Sequence, residues 1–194
     1  MATLALHSPA ASSVDRLRSG EASLTVQAAG VVGFALLTGL LAQFEIRLYL
    51  WEVPITLQTL GVYSAGLFLG ARNGGLAMVL YLALGLVLPF YAGGASGLEH
   101  YAGATGGYLV GIPLAAAAIG AVSRRWNSWA GSALAVFAGS AVLFTCGVTW
   151  LHFAAGHATW AESLDKGWLR FVVWDLTKIA LVSAAYAGTR RLTA

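Results

Sequence analysis

Polar residues in this chain collect into clusters, and between the clusters it runs apolar for long distances. Six apolar runs can be drawn, at 24–44, 56–71, 75–91, 106–123, 130–152 and 168–188. The hydrocarbon core of a bilayer is roughly 30 Å thick, so a helix needs about 20 mostly apolar residues to cross it. The runs therefore predict an all-α membrane protein, a compact bundle of six transmembrane helices forming one domain over 24–191. The second and third runs are short for straight spans. Gly30, Gly33, Gly39, Gly61, Gly66 and Gly70 recur within the first two runs, and in membrane helices such glycines permit close backbone contact. Residues 1–23 lack the long apolar core of a cleaved signal and are expected to be a mobile cytoplasmic tail.

Composition supports this pattern. With 58% hydrophobic and 10% charged residues, the chain is too apolar for an ordinary soluble domain. Short cytoplasmic loops are enriched in Lys and Arg, which fixes the expected orientation. With the N-terminus inside, Arg16, Arg18, Arg72, Arg124, Arg125, Arg190 and Arg191 are all cytoplasmic, Arg47, Lys166 and Arg170 lie outside, and Lys178 lies within the membrane. Both termini are thus expected in the cytoplasm. The net charge of +3 follows topology and forms no basic stripe, so nucleic acid is not an expected partner. The single cysteine, Cys146, excludes an internal disulfide and reads as a buried inert thiol.

Charges at membrane depth carry the candidate chemistry. Asp175 and Lys178 in WDLTK are spaced i, i+3, which puts both side chains on one helix face. Each alone costs about 2.5–3.5 kcal/mol at the centre of a bilayer on insertion scales, so the pair should face the bundle interior or a polar cavity. It reads either as a self-neutralising ion pair or as a ligand site. In VPITLQT (53–59), Pro54 precedes a helix start, and Thr56, Gln58 and Thr59 bring polar groups that must find partners in hydrocarbon. Those partners are either their own backbone or a ligand.

Three further features are less specific. The glycine-rich YAGGASGLEHYAGATGGY (91–108) reads as a flexible outer loop over a pocket, or as a connector. It lacks the flanking strand and Lys-Ser/Thr of a phosphate-binding loop. His100, His152 and His157, with Glu99, Glu162 and Asp165, match no metal-ligand spacing and read as solvated interfacial side chains. Ala35 and Gly39 form a small-xxx-small face on the first helix, preceded by another at Ala29 and Gly33, suited to internal packing or to docking a partner helix.

At VPITLQT, LPFYAGG, the loop ending in GATGGY, and the late WDLTK, the sequence resembles the BioY family over roughly residues 24–190. These are the biotin-binding S components of energy-coupling factor (ECF) vitamin transporters. The chain departs from the family pattern at Ala104, where proline is usual, and at Val173 and Trp174, where Pro-Gly is frequent. The resemblance implies a multi-pass subunit of the cell (inner) membrane that binds biotin near the outer surface. It implies assembly with a transmembrane coupling protein and ATP-binding-cassette ATPases, which would hydrolyse ATP in place of this chain. Ala35 and Gly39 become candidate contacts to the coupling protein.

Biotin has a ureido ring with two N–H donors and one strong acceptor, an apolar thiophane ring and a carboxylate on a flexible chain. The resemblance therefore implies that Asp175 accepts a ureido N–H. Lys178 either donates to the ureido oxygen or tunes Asp175, and Gln58 and Thr56 add hydrogen bonds. Tyr81, Tyr91, Tyr108 and Trp174 are candidates to pack on the rings, and Gly97 and Thr105 are the loop positions expected at the ligand. Arg47, Arg170 or backbone N–H groups of 93–107 are left for the carboxylate. Ligand capture is expected to order the 92–105 loop, and no cofactor is expected. The competing readings are an intramembrane enzyme, which no nucleophile motif supports, and a solitary proton-coupled carrier for biotin or a related small molecule, using Asp175 and Lys178 as a relay.

Overall fold

The computed structural model describes residues 12–48, 51–126 and 128–193. Seven helices and one small hairpin follow in order: α1 (Ser13–Ser19), α2 (Leu24–Ala42), β1 (Glu45–Ile46), β2 (Ile55–Thr56), α3 (Gln58–Gly85), α4 (Gly106–Val122), α5 (Trp129–Ala154), α6 (Trp160–Gly167) and α7 (Val172–Thr193). Among the described residues, five helical stretches are long and apolar enough to cross a membrane, beginning at Leu24, Gln58, Gly106, Trp129 and Trp160.

The two short runs at 56–71 and 75–91 are joined more tightly than the sequence suggests. As a straight helix, α3 would put Gln58 and Tyr81 about 35 Å apart, yet Gln58 Nε2 donates to Tyr81 Oη at 3.0 Å. The helix folds back on itself at Gly70, whose φ of 76° and ψ of −177° lie outside helical space. Only glycine adopts such a backbone without a steric penalty, and the backbone oxygen of Arg18 closes the space beside it.

α2 buries Ala35, Thr38, Gly39 and Ala42, a stripe at the helical repeat that packs on α3. A Cβ on Gly39 would lie 2.5 Å from the Phe90 ring, and one on Gly61 would lie 2.4 Å from Thr38 Oγ1. This is the close approach that small residues permit in membrane bundles. It also corrects the expected docking face. Ala35 and Gly39 are used in internal packing, whereas Ala29 and Gly33 face outward, with no atom within 4 Å of a Cβ built on Gly33.

The described part of the expected mobile tail is also structured. Ser12 caps α1 by accepting from the Asp15 N–H, and Val14 is buried. Arg18 donates to Tyr186 Oη and to Ser123 Oγ at 2.8 Å, while Arg190 pairs with Asp15 at 2.8 Å. These contacts clamp α1 across the Gly70 turn, the end of α4 and the end of α7. Residues 1–11 lie outside the described set.

At the opposite end, β1 and β2 pair antiparallel with Glu45 opposite Thr56. The glycine-rich stretch makes two 3₁₀ turns, Ala92–Gly94 and Leu98–Tyr101. Gly97 N–H donates to Gly85 O at 3.0 Å, and the buried Tyr91 donates to Leu82 O at 2.8 Å. The segment expected to be a flexible flap is therefore tied to α3. Cys146 is half-buried, not enclosed.

Candidate functional site

A cavity of about 340 Å³ opens beneath the hairpin, within the size range of small-ligand sites. Three parts of the chain converge on it. The first is the loop between β1 and β2 running on into the start of α3, the second is the end of the glycine-rich segment with α4, and the third is the middle of α5 with the start of α7.

Its polar wall is made by Thr56, Gln58, Thr59, Asp175 and Lys178. The i, i+3 pair does not form the self-neutralising bridge that its spacing allows, since no ion pair within 4.0 Å joins the two among the described residues. Each has partners of its own. Tyr63 Oη donates to Asp175 Oδ1 at 2.5 Å, and Ser140 Oγ donates to Oδ2 at 2.5 Å. Lys178 Nζ donates to Thr56 O at 2.6 Å and to Thr59 Oγ1 at 3.0 Å. An ammonium has three donors and a carboxylate has about four lone-pair sites. One Lys178 hydrogen and two Asp175 lone pairs thus remain for whatever occupies the cavity.

The apolar wall includes Tyr108, Leu109, Ile112, Phe144, Phe171 and the half-exposed Trp174. Tyr108 is fixed by donating to Gly167 O at 2.6 Å, with its ring edge-on to Phe144. Thr105 also lines the cavity. Tyr81, Tyr91 and Gly97 do not. Tyr81 stands behind Gln58, receiving its amide hydrogen and donating to Phe90 O at 3.2 Å. Tyr91 is enclosed, stacked on His100 at 5.3 Å, and Gly97 serves the turn.

At the hairpin end, Arg47 lines the cavity and holds Glu45 at 2.6 Å. Arg170 is turned away onto Asp165 at 2.7 Å and over the Trp51 ring. Several N–H groups of 93–107 are already bound internally, at Gly94, Ala95, Gly97, Ala102 and Gly106.

His152 and His157, which read as solvated in the sequence, belong to a brace here. Glu52, on the cavity wall, lies 2.7 Å from His157 Nε2 and 2.9 Å from Lys166 Nζ. Ser163 Oγ sits between His157 Nδ1 at 3.0 Å and His152 Nδ1 at 2.9 Å. His157 and Ser163 are buried, because α6 folds back onto the end of α5. Burial alone would raise Glu52, but hydrogen bonds from Lys166 and His157 outweigh it and hold the carboxyl below its usual range.

A bundle of apolar helices holding a pocket with a few convergent polar groups defines a multi-pass membrane protein that binds a small ligand. Comparison with known proteins gives the family: the BioY family matches residues 12–194, and the chain belongs to it. It is 34% identical over 148 residues to the biotin transporter BioY of Thermotoga maritima, covering 76% of this chain and 86% of that protein. It is 34% identical over 150 residues to the probable biotin transporter BioY of Pyrococcus horikoshii, covering 76% and 85%. The fold is similar to the crystal structure of the S component for biotin from an ECF-type ABC transporter, with a TM-score of 0.79 at 25% identity over 86% of this chain and 92% of that one.

Proposed function

We propose that this protein is the biotin-capturing membrane subunit of an ECF-type uptake transporter, binding its ligand at the hairpin end of the bundle. It is a transport subunit and not an enzyme. The observation that carries the ligand reading is the split of Asp175 and Lys178 into separate, partly satisfied groups on one cavity wall. Free acceptors beside a free cationic donor complement a cyclic urea, whose N–H and C=O groups lie next to one another. Tyr108, Phe144 and Phe171 suit the thiophane ring and chain, and Arg47 is the cation left for the carboxylate. Isothermal calorimetry on detergent-purified protein tests this reading. Saturable one-to-one binding of biotin is expected, and absence of binding by folded protein would reject it.

A bundle of six crossings, with α3 crossing twice, is part of the same proposal. Arg16, Arg18, Arg72, Arg124, Arg125, Arg190 and Arg191 fall at the α1 end, where Arg18 meets Ser123 and Tyr186 and Arg190 meets Asp15, whereas Arg47, Lys166 and Arg170 lie at the hairpin end. The excess of arginine at the α1 end supports a cytoplasmic placement for it, with both termini there and the pocket opening outward across the cell membrane. The outward-facing Ala29 and Gly33 of α2 form the docking face for the coupling protein and its ATPases. Ala29→Leu with Gly33→Leu should leave biotin affinity within about two-fold while abolishing co-purification with the coupling protein. Undiminished co-purification would remove this face from consideration.

A further inference from the structure

The two hydroxyls that hold Asp175 come from behind the cavity wall. Tyr63 lies in the first half of α3 and Ser140 in the middle of α5; they are 0% and 3% exposed, and neither lines the cavity that Asp175 lines. Each donates to a different oxygen of the carboxylate, at 2.5 Å in both cases. Two donors on two oxygens fix rotation about the Cβ–Cγ bond, so the remaining lone pairs stay aimed into the cavity.

The chemistry of these partners matters as much as their geometry. Among the described residues no cation lies within 4.0 Å of Asp175, and the one that follows it a turn later, Lys178, is held by Thr56 and Thr59. A cation here would cancel the charge and compete with ligand N–H groups for the same oxygens. Hydroxyl donors support the anion without cancelling it. A buried carboxylate with unfilled acceptor sites penalises any occupant lacking N–H donors, because it would leave those sites unpaired.

We propose that Tyr63 and Ser140 are positioning residues that set the orientation of Asp175 and, through it, the preference of the pocket for ligands presenting N–H donors. This rests on the reading of Asp175 as a ligand acceptor given above. Tyr63 and Ser140 touch no ligand themselves.

The test is calorimetric titration of Tyr63→Phe and Ser140→Ala, singly, together and each in an Asp175→Asn background. The probes are biotin and a biotin methylated on its ureido nitrogens, and folding is checked by thermal melting. Each single change should weaken biotin about three- to ten-fold, less than loss of a direct hydrogen bond between ligand and a charged group, because the bond removed orients Asp175 and does not touch the ligand. The double change should approach Asp175→Asn, and in the Asp175→Asn background either change should add less than about two-fold. The preference for biotin over the methylated probe should shrink in step. Ser140→Cys, with similar volume and a weaker donor, should fall between wild type and Ser140→Ala.

A structural role alone would give equal losses with and without Asp175, and an unaltered preference between the probes; either result overturns the proposal. If Asp175→Asn weakens biotin while Tyr63→Phe and Ser140→Ala bind as wild type, positioning is wrong and the ligand reading stands. If Asp175→Asn itself binds as wild type, the ligand reading fails first and the proposal falls with it. Should Asp175→Asn bind too weakly to titrate, the preference ratio in the single variants decides alone.

Discussion

Among the carboxylates that line the cavity, Asp175 and Glu52 are held by opposite means. Asp175 is buried in the bundle and accepts from two neutral hydroxyls on other helices. Glu52 is part-exposed in the hairpin and meets Lys166 and His157 of the α6 region. Hydroxyls support an anion and leave its charge standing, whereas the Lys166 ammonium compensates the charge of Glu52. The first arrangement leaves an acceptor ready for a ligand. The second ties one piece of backbone to another, which for exposed pairs contributes modestly. Lining a cavity therefore does not by itself make a carboxylate a binding group; what matters is whether its acceptor capacity is already answered by charge.

The largest separation between the two should come from neutralising each in turn. Asp175→Asn keeps the shape, removes the charge and presents one amide donor where an acceptor is wanted. Loss of a hydrogen bond to a charged group amounts to about 1.5–3 kcal/mol, so biotin affinity should fall about ten- to hundred-fold by calorimetry. Glu52→Gln should change it less than about three-fold. Equal losses would dissolve the distinction. Lys178→Met should come next, at about ten-fold, because the ammonium holds Thr56 O and Thr59 Oγ1 at the pocket wall and, on the proposed function, would also donate to the ligand. An unchanged affinity there would reduce Lys178 to a structural strut.

The unequal visibility of these groups in the sequence has a physical cause. Asp175 and Lys178 stand out because charge is rare and costly at membrane depth, and the family motifs around them give their setting. Tyr63 and Ser140 are ordinary residue types within apolar helices. The signal was their polarity, since a hydroxyl in hydrocarbon needs a partner, but nothing in the order of residues names the carboxylate 112 and 35 positions away. Tyr81 and Tyr91 show the converse, because a core aromatic and a pocket aromatic look alike until packing is known. The back-folded α3 was legible as two short runs, although its turn at Gly70 was not. Ala29 with Gly33 and Ala35 with Gly39 are the same motif six residues apart, which rotates one about 240° from the other around the helix. Only the position of α3 decides which pair is covered.

The smallest expected effect concerns the brace. Glu52 is held below its usual range, so its contribution is present above the ordinary glutamate value of about 4.3 and is lost as pH falls below it. Lys166 is raised, first by its hydrogen bond with Glu162 and then by that with Glu52. Its contribution is complete below the ordinary lysine value of about 10.4 and is lost as pH rises past it. The brace is thus whole from about pH 5 to pH 10. Glu52→Gln should lower the melting temperature at pH 7 by about 2–4 °C, the shift expected for about 1 kcal/mol in a chain of this size. The gap between wild type and variant should hold down to about pH 4.3 and narrow as pH falls further, because the folded-state carboxyl is protonated only below the ordinary glutamate value. A gap that does not narrow between about pH 4 and pH 2 would mean that Glu52 holds the hairpin through shape and neutral hydrogen bonds, and the contrast with Asp175 would then lie in burial alone.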